Sequence, residues 1–157
     1  MSSTIHIRPY QDQDAAATVT VFLRAIREVA SQHYAPAQVE AWAQVDDAMA
    51  WAQHRLTRPA WVAECQGLVI GFCDLTASGC LDMLFVHPDY QRLGVAKRLF
   101  ACAEDHARQL GLKRLYTEAS LSARPFFEQQ GFDMIAKQSV EKRGQYLTNF
   151  LMAKSLS

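Results

Sequence analysis

The spacing of apolar residues changes several times along this chain, and each change marks the boundary of a predicted element. A spacing of three or four residues predicts a helix, whereas strict alternation predicts a strand. The predicted elements, in order, are a strand at 5–8, helices that begin after Asp12 or Asp14, near Pro36 and near Asp46, strands at 61–65, 68–76 and 80–86, a helix at 95–110, a strand at 114–120, a helix at 122–130, and strands at 132–142 and 145–154. This order predicts one mixed α+β domain over residues 1–157, in which helices cover a sheet.

The junction between the strand at 80–86 and the long helix after it carries the most informative residues. The run Gln91-Arg92-Leu93-Gly94-Val95-Ala96 places one arginine and two small residues at the start of the helix. A helix N-terminus directs unpaired N–H groups and the positive end of the helix dipole at one point. Small residues let a phosphate approach the backbone, and arginine adds a forked cationic donor. The junction therefore predicts a site for a phosphate-bearing cofactor, although close packing of a helix on a sheet would require the same small residues.

Composition narrows the classes of partner. Sixteen basic residues balance sixteen acidic ones, so the sequence lacks the basic surplus that is typical of a nucleic-acid binder. The four cysteines show no C-x-x-C pairing and are expected as small core residues in a reducing compartment, with no metal site. Neither a signal peptide nor an apolar run of membrane-spanning length is visible. We therefore expect a cytoplasmic protein with no nucleic-acid partner and no membrane partner.

Two motifs flank the predicted long helix in a fixed order. The first is Leu84-Phe85-Val86-x-Pro88 followed by Gln91-Arg92-x-Gly94-x-Ala96, and the second is Ala123-x-x-Phe126-Phe127-Glu128-x-x-Gly131-Phe132. Together with the element order, they resemble the GNAT superfamily of acetyl-CoA-dependent N-acetyltransferases over nearly the whole chain. The resemblance implies a mostly antiparallel sheet of about seven strands, flanked by about four to five helices and splayed between its fourth and fifth strands.

The same resemblance implies which residues bind acetyl-CoA. Backbone amides at the start of the long helix would hold the pyrophosphate, and backbone groups of Leu84 and Val86 would pair with the pantetheine arm. Ser120 stands where the family often has Asn. The cofactor site implied in this way comprises Leu84, Phe85, Val86, Gln91, Arg92, Leu93, Gly94, Val95, Ala96, Lys97, Ser120, Phe126 and Phe127. Phe127 departs from the family, because many members have there a Tyr that protonates the leaving thiolate, and Phe has no such proton.

The implied reaction is direct attack of a primary amine on the acetyl thioester, with no covalent enzyme intermediate. The amine must lose a proton, so a nearby carboxylate is useful as a base. Asp82 is the first candidate, because alternation places it on one strand face with Leu84 and Val86, and a carboxylate within an apolar strand is unusual. Glu118, in the middle of the next predicted strand, is the second candidate. A salt bridge would explain Asp82 without any catalytic role.

Other groups complete the predicted site. Tyr146 or Tyr116 could supply the proton that Phe127 lacks, although half-buried tyrosines are common in strands. The acceptor site is expected between the first helix and the first hairpin, the variable part of the family. The acceptor residues predicted on this basis are His33, Tyr34, Trp42 and Asn149.

The sequence leaves the acceptor and the assembly open. A small amine, a peptide N-terminus and a lysine side chain are all compatible with it. The alternative function is a non-catalytic domain that binds or senses acyl-CoA, which Phe127 keeps under consideration. Sheet edges at the last two predicted strands make a homodimer plausible.

Overall fold

A computed structural model describes residues 4–156, so the first three residues and the last residue of the predicted domain lie outside it. Within this range the chain forms seven β-strands and five α-helices. They are β1 (Ile5–Pro9), α1 (Ala15–Glu28), α2 (Pro36–Trp42), α3 (Ala48–Leu56), β2 (Ala60–Cys65), β3 (Leu68–Leu75), β4 (Leu81–Val86), α4 (Val95–Gln109), β5 (Arg114–Ser120), α5 (Arg124–Gln129), β6 (Asp133–Lys142) and β7 (Gln145–Ser155). The predicted order of elements and the α+β class are confirmed.

The sheet consists of two antiparallel parts, with strand orders β1-β2-β3-β4 and β5-β7-β6. The parts meet at a parallel bridge between Cys80 and Tyr116, where the Tyr116 N–H donates to the Gly79 carbonyl at 2.9 Å. No ladder joins β4 to β5 beyond this point in the described residues, so the two parallel strands leave a gap toward their C-terminal ends. The predicted split between the fourth and fifth strands is therefore confirmed.

Helices cover both faces of the sheet. Val95, Leu99 and Ala103 lie on one side of α4 at helical spacing and are buried in a cluster with residues of both sheet parts. α1, α2 and α3 pack on the opposite face, in a second cluster that includes Phe22. Gly71 in β3 sets the distance of α4 from the sheet, because an added Cβ would lie 3.1 Å from the Leu99 side chain and equally close to that of Val95. The start of α4 is thereby held against β3 and β4.

A β-bulge interrupts the pairing of β3 with β4. Asp74 pairs with Met83, but Leu75 pairs with Leu81, so that Asp82 is the extra residue on its strand. A bulge of this kind resets the alternation of side chains between the two faces of a sheet.

The bulge corrects one prediction. Leu81 and Leu84 pack on the same core cluster although they are three positions apart, which simple alternation forbids. The sequence predicted that Asp82 shares a strand face with Leu84 and Val86. Because of the bulge, it does not. Its carboxylate instead forms an ion pair with Arg58, the Nη1 atom of which lies 3.1 Å away.

Candidate active site

A cavity of about 490 Å³ occupies the gap between β4 and β5. It exists because the strands are joined only at their beginnings, and the turn before α4, the helix α5 and part of α1 form its remaining walls. Every residue of the predicted cofactor site except Leu93 lines this cavity. The Leu93 side chain points outward, with 57% of its surface exposed.

The turn before α4 has the backbone shape of an anion site. Arg92 and Gly94 have φ values of +63° and +77°, in the left-handed region that favours glycine. A Cβ added at Gly94 would meet no other atom within 4 Å, so the space in front of the helix is open. The first N–H groups of α4, beginning at Val95, have no partner within the helix. Unpaired donors, the helix dipole and open space together suit a phosphate group.

Side chains of the same turn hold it against β4. The Gln91 amide donates to the Val86 carbonyl at 3.0 Å, so this residue supports the turn in addition to lining the cavity. Tyr90 also lines the cavity, and its ring meets that of His87 edge-on with centroids 5.3 Å apart. Sequence reasoning missed Tyr90; its position between two motif residues was the available signal.

The wall opposite this turn comes from the end of β5 and from α5. The Ser120 hydroxyl accepts the Ala123 N–H at 3.1 Å and so holds the turn that leads into α5. The Ser122 Oγ is buried, has no hydrogen-bond partner in the described residues and belongs to the cavity lining. No pattern in the sequence pointed to Ser122. Phe127 is buried against Phe126, with ring centroids 5.2 Å apart, and presents no polar atom to the cavity.

Asp82 lies outside the cavity lining, in a group of charges beneath α3. Its partner Arg58 also approaches Asp74, at 3.9 Å. Asp74 is fully buried, accepts the Met83 N–H at 3.1 Å and lies 3.4 Å from the buried Arg55 guanidinium. Burial raises the pKa of Asp74 to about 6, and the attraction of Arg55 opposes that rise. These contacts hold the bulge, and with it the backbone on either side of Asp82.

Glu118 and Asn149 lie on one face of the second sheet part and are joined by a residue that sequence reasoning missed. The Gln138 amide nitrogen donates to the Glu118 carboxylate at 3.0 Å and to Asn149 Oδ1 at 2.9 Å. Asn149 is the direct cross-strand neighbour of the cavity residue Ser120. None of the three linked residues lines the cavity itself, and Ser120 connects them to it.

The closed end of the gap brings the two candidate bases into one electrostatic environment. Burial, together with the carboxylates of Asp82 and Glu118, raises the pKa of the Cys80 thiol to about 11. Both carboxylates therefore act on the place where β4 and β5 meet. Tyr116 pairs with Cys80 there, whereas Tyr146 lies near the other end of β7 with 64% of its surface exposed.

The predicted acceptor aromatics have different surroundings. Trp42 lines the cavity and meets Tyr34 edge-on, with ring centroids 5.6 Å apart. The Tyr34 hydroxyl donates to the Thr148 carbonyl at 2.6 Å and accepts the Leu121 N–H at 3.0 Å, so both of its polar functions are used within the fold. His33 is exposed and is not part of the cavity wall.

Two classes of feature are absent from residues 4–156. No group of three or more His, Cys, Asp or Glu side chains is arranged to hold a metal ion. No helix in this range combines the length and the apolar character needed to cross a membrane.

A sheet split between two parallel strands, with a helix N-terminus facing the split, is an α+β arrangement that suits a phosphate-bearing ligand. The family model described as an acetyltransferase (GNAT) domain matches residues 30–156. YafP of Escherichia coli K12, an uncharacterized N-acetyltransferase, is 39% identical over 150 residues, which cover 96% of this chain and 95% of YafP. The chain therefore belongs to the GNAT family, and it is an N-acetyltransferase that depends on acetyl-CoA.

Solved structures agree with this membership. The GCN5-related N-acetyltransferase of Rhodopseudomonas palustris has a TM-score of 0.94 at 34% identity, with 99% of each chain covered. YncA of Salmonella typhimurium, solved with acetyl-CoA, has a TM-score of 0.75 at 21% identity and covers 99% of this chain and 95% of its own. The second match supports the fold alone, because its sequence identity is low.

Proposed function

We propose that this chain binds acetyl-CoA in the gap between β4 and β5 and transfers the acetyl group directly to a primary amine. The observation that carries the proposal is the open turn at Gly94, where unpaired N–H groups of α4 face a cavity of about 490 Å³. YncA, which has this fold, was solved with acetyl-CoA. That complex supports the same placement here.

The residues that would hold acetyl-CoA fit its chemistry. Backbone N–H groups from Arg92 to Ala96 would bind the pyrophosphate, and the edge of β4 that faces the gap would hydrogen-bond to the amides of the pantetheine arm. The buried Ser122 hydroxyl, which has no partner in the described residues, is available to that arm as well. Phe126 and Phe127 supply an apolar surface on the opposite side.

The reaction forms one bond, breaks one bond and requires two proton transfers. The amine nitrogen forms a bond to the acetyl carbon, the carbon–sulfur bond breaks, the nitrogen loses a proton, and the thiolate later gains one. Holding the two reactants in line and donating backbone N–H groups to the carbonyl oxygen would supply most of the rate. Nothing in this scheme needs a nucleophilic side chain.

Asp82 is proposed as the base that takes the amine proton, with Glu118 as the second candidate. The bulge turns Asp82 away from the α4 side of the sheet, and Arg58 fixes its carboxylate. Glu118 has no basic side chain within ion-pair distance in the described residues, which leaves it free to accept a proton. For the leaving thiolate, Tyr90 and Ser122 line the cavity and Tyr146 does not, so Tyr146 is the weaker acid candidate.

The first test is calorimetric titration with acetyl-CoA, followed by thiol release over a panel of amines. We expect saturable binding at one site per chain and thiol release that depends on one class of amine. Acetyl-CoA without amine is the control for hydrolysis. Absence of binding would contradict the placement of the site.

The alternative raised by the sequence, a domain that binds acyl-CoA without turnover, rests on Phe127 alone, which lacks the hydroxyl that would protonate the thiolate, and membership of an N-acetyltransferase family disfavours it. A domain that binds acyl-CoA without transferring it would show normal binding and no thiol release with any amine. Release with any amine excludes this alternative. A thiol with a pKa near 8.5 is a tolerable leaving group at neutral pH, so Phe127 is compatible with turnover.

Three further expectations, on the location, the assembly and the extent of the domain, are also proposals. Four free cysteines suit a reducing compartment, which supports a cytoplasmic location. The exposed edge strand β6, with Met134 and Ile135 about half exposed, suits a homodimer that sedimentation would detect. A single domain over residues 1–157 is likewise proposed.

A further inference from the structure

We propose that the acceptor carries a neutral carbonyl group on the carbon next to its amine, as in an amino-acid amide or a peptide N-terminus. This proposal rests on the function proposed above and names the class of its second substrate. The site would consist of Glu118, Gln138 and Asn149, which are called the acceptor strip below. Glu118 would accept a hydrogen bond from the amine, and Asn149 would donate one to the carbonyl oxygen.

The hydrogen bonds within the strip determine which atoms it offers. Gln138 donates to both neighbours, to Glu118 at 3.0 Å and to Asn149 at 2.9 Å. Because Asn149 uses its oxygen for this bond, its NH₂ group is directed elsewhere and has no partner in residues 4–156. Glu118 uses one oxygen, which leaves the other free. The strip therefore presents one donor and one anionic acceptor, held in place by Gln138.

The position of the strip relative to the cavity suits an acceptor. Ser120 connects the strip to the cavity, because it lines the cavity and pairs across the ladder with Asn149. Directly opposed residues of an antiparallel pair have Cβ atoms about 5 Å apart. Glu118 precedes Ser120 by two residues and lies on the same face of β5, toward the closed end of the gap. An amine near Glu118 and a carbonyl near Asn149 would thus lie side by side beside the cavity.

The charges distinguish an amide from a free amino acid. Glu118 has no ion-pair partner in the described residues, and Asp82 is a second carboxylate at the closed end of the gap. Arg58, which contacts Asp82, is shared with Asp74 and is not available to a ligand without breaking that contact. The charge of Asp82 is balanced by Arg58, so an acceptor carboxylate would chiefly be repelled by the unpaired charge of Glu118, whereas a neutral carbonyl would not. An alkylamine would leave the Asn149 donor unused.

Three small amines of similar shape separate these possibilities: alaninamide, alanine and sec-butylamine. Thiol release from acetyl-CoA would be measured for each, with rates compared per concentration of unprotonated amine. We expect kcat/KM for alaninamide to exceed that for each of the others by roughly tenfold or more, as one hydrogen bond and one avoided repulsion allow. Equal rates, or a preference for sec-butylamine, would overturn the proposal.

Variants of the strip test the roles of its members. Gln138→Met removes both donated hydrogen bonds, and Asn149→Asp replaces the free donor with an acceptor. Each should lower the preference for alaninamide over sec-butylamine by roughly tenfold and leave acetyl-CoA affinity unchanged. Gln145→Met, on the same β6–β7 hairpin, is the matched control and should keep the preference. A merely structural role for Gln138 would lower all rates together and leave their ratio intact, which would overturn its assignment as a positioning residue.

The outcomes separate failure of this proposal from failure of the proposed function. Thiol release with a different preference overturns the acceptor class alone. Acetyl-CoA binding without release for any of the three amines, or for a wider panel, overturns both.

Discussion

Replacing Gly94 with alanine separates the cost of a strained backbone from the cost of a blocked phosphate site. Gly94 has φ +77°, and a Cβ there would meet no atom within 4 Å. The substitution should therefore destabilise the folded state only through the left-handed backbone of the new alanine, by about 1 kcal/mol. For a domain of this size, that corresponds to a fall of about 2–4 °C in Tm.

The effect on acetyl-CoA binding should be much larger. The new methyl group would occupy the open space in front of α4 and hold a phosphate away from the first N–H groups. Each hydrogen bond to a charged group contributes about 1.5–3 kcal/mol. Loss of two such bonds would weaken binding by about 100-fold or more, which titration calorimetry measures directly.

Gly111 provides a matched control at the opposite end of the same helix. Its φ is +76°, and a Cβ added there would also meet nothing within 4 Å. Gly111→Ala should therefore lower Tm as much as Gly94→Ala does, with acetyl-CoA affinity unchanged. If Gly94→Ala bound acetyl-CoA within about threefold of wild type, or if both variants lost affinity equally, the assignment of the pyrophosphate site would be refuted.

Other substitutions test separate parts of the structure. Because burial favours the neutral form of Asp74, this residue contributes its full stabilisation of the fold below about pH 4. The stabilisation is lost as pH rises through the folded pKa of about 6. Between about pH 4 and about pH 6, the free energy of unfolding should therefore fall by less in Asp74→Asn than in wild type, with a difference of up to about 3 kcal/mol in urea titrations. Parallel curves of stability against pH for the two proteins would contradict this. Tyr34→Phe removes the hydroxyl that joins Leu121 to Thr148 and should cost about 1–3 kcal/mol of stability with acetyl-CoA affinity retained; lost affinity at unchanged stability would place Tyr34 in the binding site. Asp82→Asn should slow thiol release by about 100-fold or more without weakening acetyl-CoA binding, and a full rate across pH would exclude Asp82 as the base.

Local sequence patterns were sufficient for the elements and for the turn before α4. Alternation and helical spacing depend on which face of an element is buried, and the described helices and strands follow them closely. Gly94 was recognisable because a small residue at a helix N-terminus lets a phosphate approach the backbone, and its left-handed φ of +77° also favours glycine. The family motifs then supplied the partners of that turn on α5.

The errors and omissions arise from contacts between distant segments. The face of Asp82 depended on a bulge that only the pairing of β3 with β4 reveals. The acceptor role of Tyr34 stays a prediction, but the sequence did not reveal that its hydroxyl connects segments 87 and 114 residues away. Gln138 was overlooked because its two partners lie on other strands. No local pattern encodes such contacts.

The single bridge between Cys80 and Tyr116 has a consequence for cooperativity. Backbone hydrogen bonds connect β1 to β4 and β5 to β7 as two separate networks. In the described residues they are joined by the shared core, by this bridge and by the Thr117 hydroxyl, which donates to the Leu81 carbonyl at 3.0 Å. Units of this kind can open with different free energies, which amide hydrogen exchange resolves. A pantetheine arm paired with β4 would fill the place of a missing strand and couple the two networks. We therefore expect acetyl-CoA to make exchange from β4 and β5 more alike, so that the substrate completes the cooperative unit of the fold.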